Sequence, residues 1–342
     1  MIGFRTLALI LEAGYNVRAA VRNQAGFDRI AALPSVKNYA SQLTSFIVLD
    51  ITAPGAYDEA VKGVKYIVHV ASPLAGNTKI TDYDASLIQP AIQGTVGILE
   101  SAAKTTGVER IVITASVSSI ASGPKLAGGD VIDGKLYPAI AHRSANTYLE
   151  NTLEVATEGP FTDDMTAYFA SKALSYKATK DFITANKPAF DVINILPVFV
   201  IGRDETVTEA SSIAKGTNGL IMGPLLGYKN GYPPINATVH VDDVAKLHLL
   251  ALDPKVAGGQ DFLAAGPDYG NVNWTDSLDI VKKRYPEESA EGIFPVVDIT
   301  QARGLSKVDS SRATKVLGLE FKSFEEQVTS VVDHYLELVK QK

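Results

Sequence analysis

A tyrosine and a lysine four residues apart are the side chains of this sequence best suited to acid–base chemistry. They are Tyr168 and Lys172, in the segment Tyr168-Phe-Ala-Ser-Lys172. On a helix, side chains at this spacing lie on one face, one turn apart. Because an ammonium group beside a phenol favours the phenolate, we expect the pKa of Tyr168 to fall below its reference value of about 10. Such a tyrosine can exchange a proton with an alcohol or a carbonyl oxygen.

The same spacing occurs a second time, at Tyr176 and Lys180. The motif alone is weak evidence, because chance supplies about one copy in a sequence of this composition. We predict that Tyr168 opens a helix over 168–185, where its side chain can face a cleft beside the ends of strands. Tyr176 lies further along the same helix, so we assign it and Lys180 to packing or to the surface.

Four serines follow a strand-like run, Arg110-Ile-Val-Ile-Thr-Ala-Ser116. Ligands in open α/β sheets bind outside the carboxyl ends of the strands. A serine hydroxyl at this place can therefore hydrogen-bond the same oxygen as Tyr168. Serines also cap turns and helices, and position alone does not say which of the four is functional. The four are Ser116, Ser118, Ser119 and Ser122.

Two further side chains lie where a dinucleotide-binding fold reads its cofactor. Arg22 ends the first strand, where such folds place an acid for NAD or an arginine for the 2′-phosphate of NADP. Since Ala19-Ala-Val-Arg22 contains no carboxylate, NADPH/NADP+ is the favoured cofactor; the alternative is a surface arginine. Asp50, followed by Ile51, comes after the next strand. It either accepts a hydrogen bond from the adenine amino group or belongs to a simple turn.

Strand-like and helix-like segments alternate through the first half of the chain. This alternation predicts an α/β fold, a Rossmann-type doubly wound parallel sheet with right-handed crossovers. We predict strands over 16–21, 44–49, 66–70, 110–114 and 190–196, and helices over 4–13, 24–33, 57–62, 88–104 and 168–185.

The texture of the sequence changes after residue 202, where Gly, Pro, Asn and Tyr become more frequent. We therefore predict a dinucleotide-binding domain over 1–202, with returns near 239–265. A smaller C-terminal substrate lobe is formed mainly by 203–238 and 266–342. Its last part contains a helix over 324–341, because Ser323 and Glu326 have the spacing of a capping box.

The composition excludes several other classes of protein. The 342 residues carry a formal net charge of −6 and include no cysteine, so disulfides, thiolate zinc sites and thiol nucleophiles are excluded. The sequence has no Lys/Arg run of the kind that binds nucleic acid, and no apolar run of transmembrane length. The five histidines show no metal-ligand spacing. We expect a cytoplasmic monomer or homodimer without a metal site.

In combination, though not singly, several segments resemble the extended short-chain dehydrogenase/reductase family. The resemblance is to its dihydroflavonol-reductase-like branch, which contains yeast and fungal NADPH-dependent aldehyde, ketone and methylglyoxal reductases. The segments are Gly14-Tyr-Asn-Val-Arg-Ala-Ala-Val-Arg22, Leu49-Asp-Ile51, His69-Val-Ala-Ser-Pro73, Pro90-Ala-Ile-Gln-Gly-Thr-Val-Gly97, Arg110 to Ser116, Tyr168 to Lys172, Pro197-Val-Phe-Val200, His240-Val-Asp-Asp-Val-Ala245 and Val308-Asp-Ser-Ser-Arg312.

The resemblance implies roles for individual residues. Ser116 matches the catalytic serine, Tyr168 the general acid, and Lys172 the lysine that binds the nicotinamide ribose and lowers the tyrosine pKa. Arg22 matches the residue that reads the 2′-phosphate. The implied reaction reduces aldehydes or ketones to alcohols by hydride transfer from C4 of the nicotinamide. The implied substrate is a small-molecule carbonyl compound. The other implied cofactor contacts are Gly3, Asp50, Ile51, Ala71, Tyr168 and, on a nicotinamide-side loop, Pro197, Val198 and Val200.

The chain departs from the family pattern at its beginning. The family starts with a strand and Thr-Gly-x-x-Gly-Phe-Ile-Gly, of which only Ile2-Gly3 stand here. Without that strand, its neighbours near Val17 and Val68 would have unpaired backbone groups, each costing about 1–3 kcal/mol. We therefore expect the first strand to be missing and the sequence as written to be a truncated reductase with weak cofactor binding. Smaller departures at Ala115, Gly97 and Leu196 leave the catalytic residues intact.

Other functions stay open at this point. One is 3β-hydroxysteroid dehydrogenase or nucleotide-sugar epimerase chemistry on the same scaffold, although an epimerase uses NAD and Arg22 argues against it. Another is a truncated, non-catalytic nucleotide-binding protein. We expect segments 210–232 and 267–274 to select the substrate, with Tyr228, Tyr232 and Trp274 either lining an apolar pocket or packing in the core.

Overall fold

A computed structural model describes residues 1–73, 81–129, 131–133, 155, 157–161, 163–229, 232–267, 272–296 and 305–340. The helices are α1 (Ile2–Glu12), α2 (Gln24–Ala31), α3 (Gln89–Ala103), α4 (Gly123–Gly128), α5 (Asp164–Asn186), α6 (Gly219–Leu225), α7 (Val241–Leu250), α8 (Asp276–Arg284), α9 (Pro286–Ala290), α10 (Ser311–Leu317) and α11 (Phe324–Lys340). The strands are β1 (Val17–Val21), β2 (Leu43–Ile47), β3 (Tyr66–His69), β4 (Arg110–Thr114), β5 (Val131–Ile132), β6 (Asp191–Pro197), β7 (Phe199–Ile201), β8 (Thr238–His240), β9 (Asp261–Ala264) and β10 (Lys307–Val308).

The main sheet has four parallel strands in the order β3-β4-β6-β9. The apolar residues of its inner strand β4 are at most 4% exposed, as expected for a parallel strand that is covered on both faces. Because the strands are parallel, their carboxyl ends meet at one edge of the sheet. The residues that follow β3 and β4 therefore lie beside each other. This parallel sheet with its helices confirms the predicted α/β class.

Strands β1 and β2 form a separate parallel pair, in a register that places Val21 opposite Ile47. Among the described strands, β1 pairs only with β2, and β3 pairs only with β4. Three of the four residues of β3 are only partly buried, as befits the edge of a sheet. That the strand expected between β1 and β3 is missing stays a prediction.

The sequence of helix α1 explains its buried face and the residue at which it ends. Its buried residues recur with helical spacing, so one face packs inward. Gly14 follows the helix with a φ of +89°, a left-handed conformation that ends helices and favours glycine. Near its start, α1 is connected to α7 by an ion pair, in which Arg5 Nε lies 2.6 Å from Asp242. The buried residues of α1 are Phe4, Thr6, Leu7, Ala8, Ile10 and Leu11.

Helix α5 is the element that carries the candidate chemistry. Asp163 caps it by accepting a hydrogen bond from the backbone of Thr166 at 2.8 Å. The helix therefore begins at Asp164, and the prediction that Tyr168 opens it is wrong. Tyr168 lies in the second turn, where its backbone N–H is already inside the helix. On the buried side Ala167, Ala170 and Ala173 are fully covered, and such small side chains let neighbouring elements approach closely.

A second hydrophobic core lies among the elements that follow β7. It contains Trp274, Phe294 and apolar residues of α6 and α11. Helix α11 starts as predicted, because Ser323 and Glu326 exchange capping hydrogen bonds at 2.8 and 3.3 Å. The division of the chain into a cofactor domain and a substrate lobe stays a prediction.

Two local predictions are wrong. Residues 57–62 form turns rather than a short helix. The segment lies between Gly55 and Gly63, both at a φ of +71°, and so few residues cannot offset the cost of starting a helix. The predicted loop over 197–200 is also mostly extended: β6 runs to Pro197, Val198 is the single connecting residue, and β7 begins at the next position.

Candidate active site

Tyr168 and Lys172 face each other on α5. The Lys172 ammonium lies 5.5 Å from the centroid of the Tyr168 ring, as the four-residue spacing predicts. The lysine is only 7% exposed. The pair therefore places a buried ammonium beside the ring of Tyr168.

Ser116 is the serine that the structure brings to Tyr168. It follows β4 and caps a short 3-10 helix by accepting a hydrogen bond from the backbone of Ser118 at 3.1 Å. Its own hydroxyl proton remains available, and a hydrogen bond from it lowers the pKa of Tyr168. Ser122 caps α4 instead, and the buried Ser119 hydroxyl has no hydrogen-bond partner among the described residues.

The pKa of Tyr168 does not fall as we predicted. Burial raises it above its usual value, and the hydrogen bond from Ser116 only partly opposes this rise. Burial also lowers the pKa of Lys172, to about 8, because a low-polarity environment disfavours every charged form. At neutral pH the tyrosine is therefore a neutral phenol that holds a proton, and the lysine is mostly charged.

Ser72 is a member of this site that the sequence reasoning missed. Lys172 Nζ donates a hydrogen bond to Ser72 Oγ at 2.6 Å. Ser72 follows β3 within the segment 69–73 that carried part of the family resemblance, which was the only signal available. Ser72, Lys172 and Ala71 line a small cavity of about 20 Å³ together with His69 and Thr114.

Two buried histidines near this cavity are neutral. Burial, with the charge of Lys172, lowers the pKa of His69 to about 4, and its Nε2 has no hydrogen-bond partner in the described chain. Burial lowers the pKa of His248 to about 4 as well. Because His248 Nδ1 must donate to the Val244 carbonyl at 2.7 Å, its Nε2 accepts from the Thr114 hydroxyl at 2.6 Å. This pair fixes the end of β4, two residues before Ser116.

The second tyrosine–lysine pair has partners of its own. The Tyr176 hydroxyl donates to Asp261 at 2.9 Å, and Lys180 Nζ lies 2.8 Å from the same carboxylate on β9. Tyr176 is only 3% exposed. These contacts agree with the predicted packing role.

Arg22 and Asp50 lie at neighbouring strand ends, because β1 and β2 are paired in parallel. Asp50 accepts hydrogen bonds from the backbone and hydroxyl of Thr52 at 2.8 and 2.7 Å. These bonds, and to a smaller degree the charge of Arg22, lower the pKa of Asp50. The carboxylate thus forms the turn that was our alternative interpretation. Within the described residues, the Arg22 guanidinium makes no hydrogen bond or ion pair.

The other predicted cofactor contacts are spread around the same edge of the sheet. Gly3 is in the first turn of α1, where an added Cβ would lie 3.7 Å from Val70, just beyond β3. Ile51 packs its Cδ1 atom 3.1 Å from the Cβ position of Gly94 on α3, an approach that favours glycine there. Val198 and Val200 pack in the main core, and Pro197 is buried at the end of β6.

The three aromatic residues predicted for the substrate lobe divide between core and cavity. Trp274 is fully buried, stacked on Tyr232 at 6.2 Å and edge-on to Phe199 at 5.6 Å. Tyr228 is exposed and, with Tyr232 and Lys215, lines a cavity of about 430 Å³. Trp274 is therefore core, and the two tyrosines border the space available to a ligand.

Two kinds of site are not found in the described part of the chain. No group of three or more His, Cys, Asp or Glu side chains is arranged to hold a metal ion. No described helix is both long and apolar enough to cross a membrane.

Comparison with known proteins gives one consistent answer. The pattern of the NAD dependent epimerase/dehydratase family matches residues 1–265. The ketoreductase CTB6 of Cercospora nicotianae is 34% identical over 344 residues, covering 98% of this chain and 92% of that protein. The NAD-dependent epimerase/dehydratase ALT6 of Alternaria alternata is also 34% identical, over 96% of this chain and 93% of its own length.

A solved structure shares the whole fold. The yeast methylglyoxal/isovaleraldehyde reductase Gre2, complexed with NADPH, superposes with a TM-score of 0.79. At 23% identity it covers 100% of this chain, and the match spans 97% of the yeast chain. The Rossmann-type architecture predicted from the sequence is confirmed by this likeness.

Proposed function

The chain belongs to the NAD dependent epimerase/dehydratase family, and from that premise we propose that it is an NADPH-dependent reductase of aldehydes or ketones. One observation carries the proposal. Ser116 after β4 and the pair Tyr168 and Lys172 on α5 meet beside the carboxyl ends of the strands. Folding alone does not require a hydroxyl, a neutral phenol and a buried ammonium at one place.

In the proposed reaction the protein donates one proton and stabilises one developing negative charge. Tyr168 holds its proton at neutral pH because burial raises its pKa, and it delivers that proton to the carbonyl oxygen. Ser116 donates a hydrogen bond to the same oxygen. Lys172 supplies a fixed positive charge that stabilises the tyrosinate left behind. The relatives named as ketoreductases support this direction of reaction.

The residues present fit a phosphorylated nicotinamide dinucleotide, which would supply the hydride. The guanidinium of Arg22 lies at the end of β1 without a hydrogen-bonding partner among the described residues, where it can bind a 2′-phosphate. The first turn of α1 adjoins the end of β3, and the positive end of a helix favours an anion. Lys172 would contact the nicotinamide ribose, and the residues over 197–200 would lie beside the nicotinamide.

Arg22→Ala is expected to raise the Kd for NADPH about 10- to 100-fold and to leave the Kd for NADH nearly unchanged. A hydrogen bond to a charged group is worth about 1.5–3 kcal/mol, and NADH lacks the phosphate that would receive it. Fluorescence titration of both cofactors checks this. Arg29→Ala, which removes an equal charge from the exposed face of α2, is the matched control. Equal weakening of both cofactors by the Arg22 variant would assign it no role in phosphate recognition.

The proposed activity is tested by following NADPH oxidation in the presence of a panel of aldehydes and ketones. A second arm supplies nucleotide sugars, because an epimerase would convert these without net oxidation of the cofactor. Net alcohol formation from a carbonyl substrate supports the proposal. Epimerisation with tightly held NAD, or NADPH binding with no turnover of any substrate, would contradict it.

Lys172→Met is expected to abolish reduction and, at pH 7, to raise the Tm. The buried ammonium is held at a pKa of about 8, so its charge is unfavourable in the folded state, and an apolar side chain of similar length removes that cost. A gain of about 1 kcal/mol corresponds to about 2–4 °C.

The sign of the pH dependence provides a second check on the Lys172→Met variant. Between pH 8 and the pKa of the unfolded chain, the natural lysine is neutral when folded and charged when unfolded, so wild-type stability rises with pH. The gain of the variant should therefore shrink above pH 8 in calorimetric scans. A variant that is less stable at pH 7 would show that the ammonium stabilises the fold.

A further inference from the structure

A hydrogen bond connects the buried Lys172 to Ser72. The role inferred from it for Ser72 rests on the proposed function. Lys172 Nζ is buried and donates to Ser72 Oγ at 2.6 Å, across 100 residues of sequence. Among the described residues no carboxylate lies within ion-pair distance of Lys172. The Ser72 hydroxyl is thus the polar group that compensates this ammonium.

We propose that Ser72 is the positioning residue of the active site: its hydroxyl holds the Lys172 ammonium beside Tyr168 and favours its charged form. The geometry supports this in two ways. Ser72 is attached to the end of β3, whereas Lys172 belongs to α5, so the hydrogen bond fixes the flexible lysine against a second element. The direction of that bond keeps Nζ 5.5 Å from the centre of the Tyr168 ring.

A hydroxyl suits this position better than a carboxylate. A carboxylate would cancel the positive charge that Tyr168 requires, whereas an uncharged acceptor stabilises the ammonium and leaves its field intact. The other titratable groups around Lys172 do not take over this role. His69 on β3 is neutral, and Tyr168 and Tyr176 lie on α5 itself, with the Tyr176 hydroxyl bonded to Asp261.

The direct test is the titration of Lys172 by NMR in protein labelled at the lysine side chains, with Lys172→Met used to assign its signal. Ser72→Ala should lower the pKa of Lys172 by about one unit, equivalent to a tenfold change in the protonation equilibrium. Ser72→Thr, which keeps the hydroxyl, should restore it. Ser72→Cys, of nearly equal volume but a weak acceptor, should shift the pKa in the same direction as alanine. An unchanged Lys172 pKa in both alanine and cysteine variants overturns the proposal.

The kinetic test uses the pH profile of kcat/KM for carbonyl reduction. In Ser72→Ala we expect a loss of about 10-fold at pH 7 and an alkaline limb that begins at lower pH, since Lys172 loses its charge earlier. A weaker Kd for NADPH with an unmoved alkaline limb would make Ser72 a cofactor contact only and would overturn the positioning role. Ser101→Ala is the control, because the Ser101 hydroxyl also makes a hydrogen bond of 2.6 Å, but to Asp58 away from the site.

The two readouts separate this inference from the proposed function. If the wild-type protein reduces no carbonyl compound, the proposed function fails, and the NMR titration still decides whether Ser72 controls Lys172. If the wild type reduces carbonyls and Ser72→Ala leaves both the titration and the alkaline limb unchanged, only the positioning role fails.

Discussion

Replacing Tyr168 with phenylalanine is expected to lower kcat/KM for carbonyl reduction about 100- to 10,000-fold, the range that a positioned proton donor contributes. The ring keeps its edge-on contact with Phe169 at 6.4 Å, so the fold should survive. Only the hydroxyl is lost. With it go the proton donated to the substrate and the group that Ser116 hydrogen-bonds. Cofactor binding should change little, because Arg22 and the strand ends are untouched.

Tyr176→Phe is the matched control for this experiment. It removes a hydroxyl from the same helix, but one that bonds to Asp261 rather than to Ser116. We expect a modest loss of stability, about 1 kcal/mol for one hydrogen bond, and an unchanged kcat/KM. The decisive comparison is between steady-state rates and NADPH titrations for the two variants. A Tyr168→Phe enzyme with wild-type turnover would remove the tyrosine from the mechanism.

The sequence predicted those parts of the site that depend on local spacing. Tyr168 and Lys172 share a helix, so their separation by one turn follows from four residues of sequence. Ser116 was one of four candidates, and the chemistry at a strand end did not choose among them. The structure separates them because Ser116 contacts Tyr168, whereas Ser122 caps α4.

Features that depend on distant contacts could not be read from the sequence. Ser72 meets Lys172 across 100 residues, and no periodicity links the two. The pKa of Tyr168 moved in the opposite direction from our prediction, because burial raises it by more than the hydrogen bond from Ser116 lowers it. Spacing indicates the neighbours of a group along a helix, whereas its exposure to water is set by strands and loops from elsewhere in the chain.

The arginine that begins β4 gives the largest expected effect on stability. The Arg110 guanidinium binds Asp191 through two hydrogen bonds of 2.6 and 2.8 Å, and its side chain is only 6% exposed. It also donates to three backbone carbonyls beyond α7, at distances of 2.6 to 2.8 Å. One side chain thus ties the amino ends of β4 and β6 to the segment that follows α7. The three acceptors are the carbonyls of Ala251, Asp253 and Val256.

Arg110→Met is expected to lower the free energy of unfolding by about 3–5 kcal/mol, because it leaves a carboxylate and several buried carbonyls without a donor. That is a large share of the roughly 5–15 kcal/mol that holds a folded domain together. Urea titration, followed by both fluorescence and circular dichroism, measures this loss in the free energy of unfolding.

Two further variants locate the source of the Arg110 effect. Asp191→Asn should lower the free energy of unfolding less than Arg110→Met does. The aspartate side chain is 38% exposed, so water can replace part of its interaction with Arg110. Arg110→Lys should fall in between, because an ammonium keeps the charge but cannot reach five acceptors at once. If Arg110→Met and Asp191→Asn cost the same, the ion pair alone would carry the effect. In that case the carbonyl contacts, and with them the link from β4 to the segment after α7, would add little to stability.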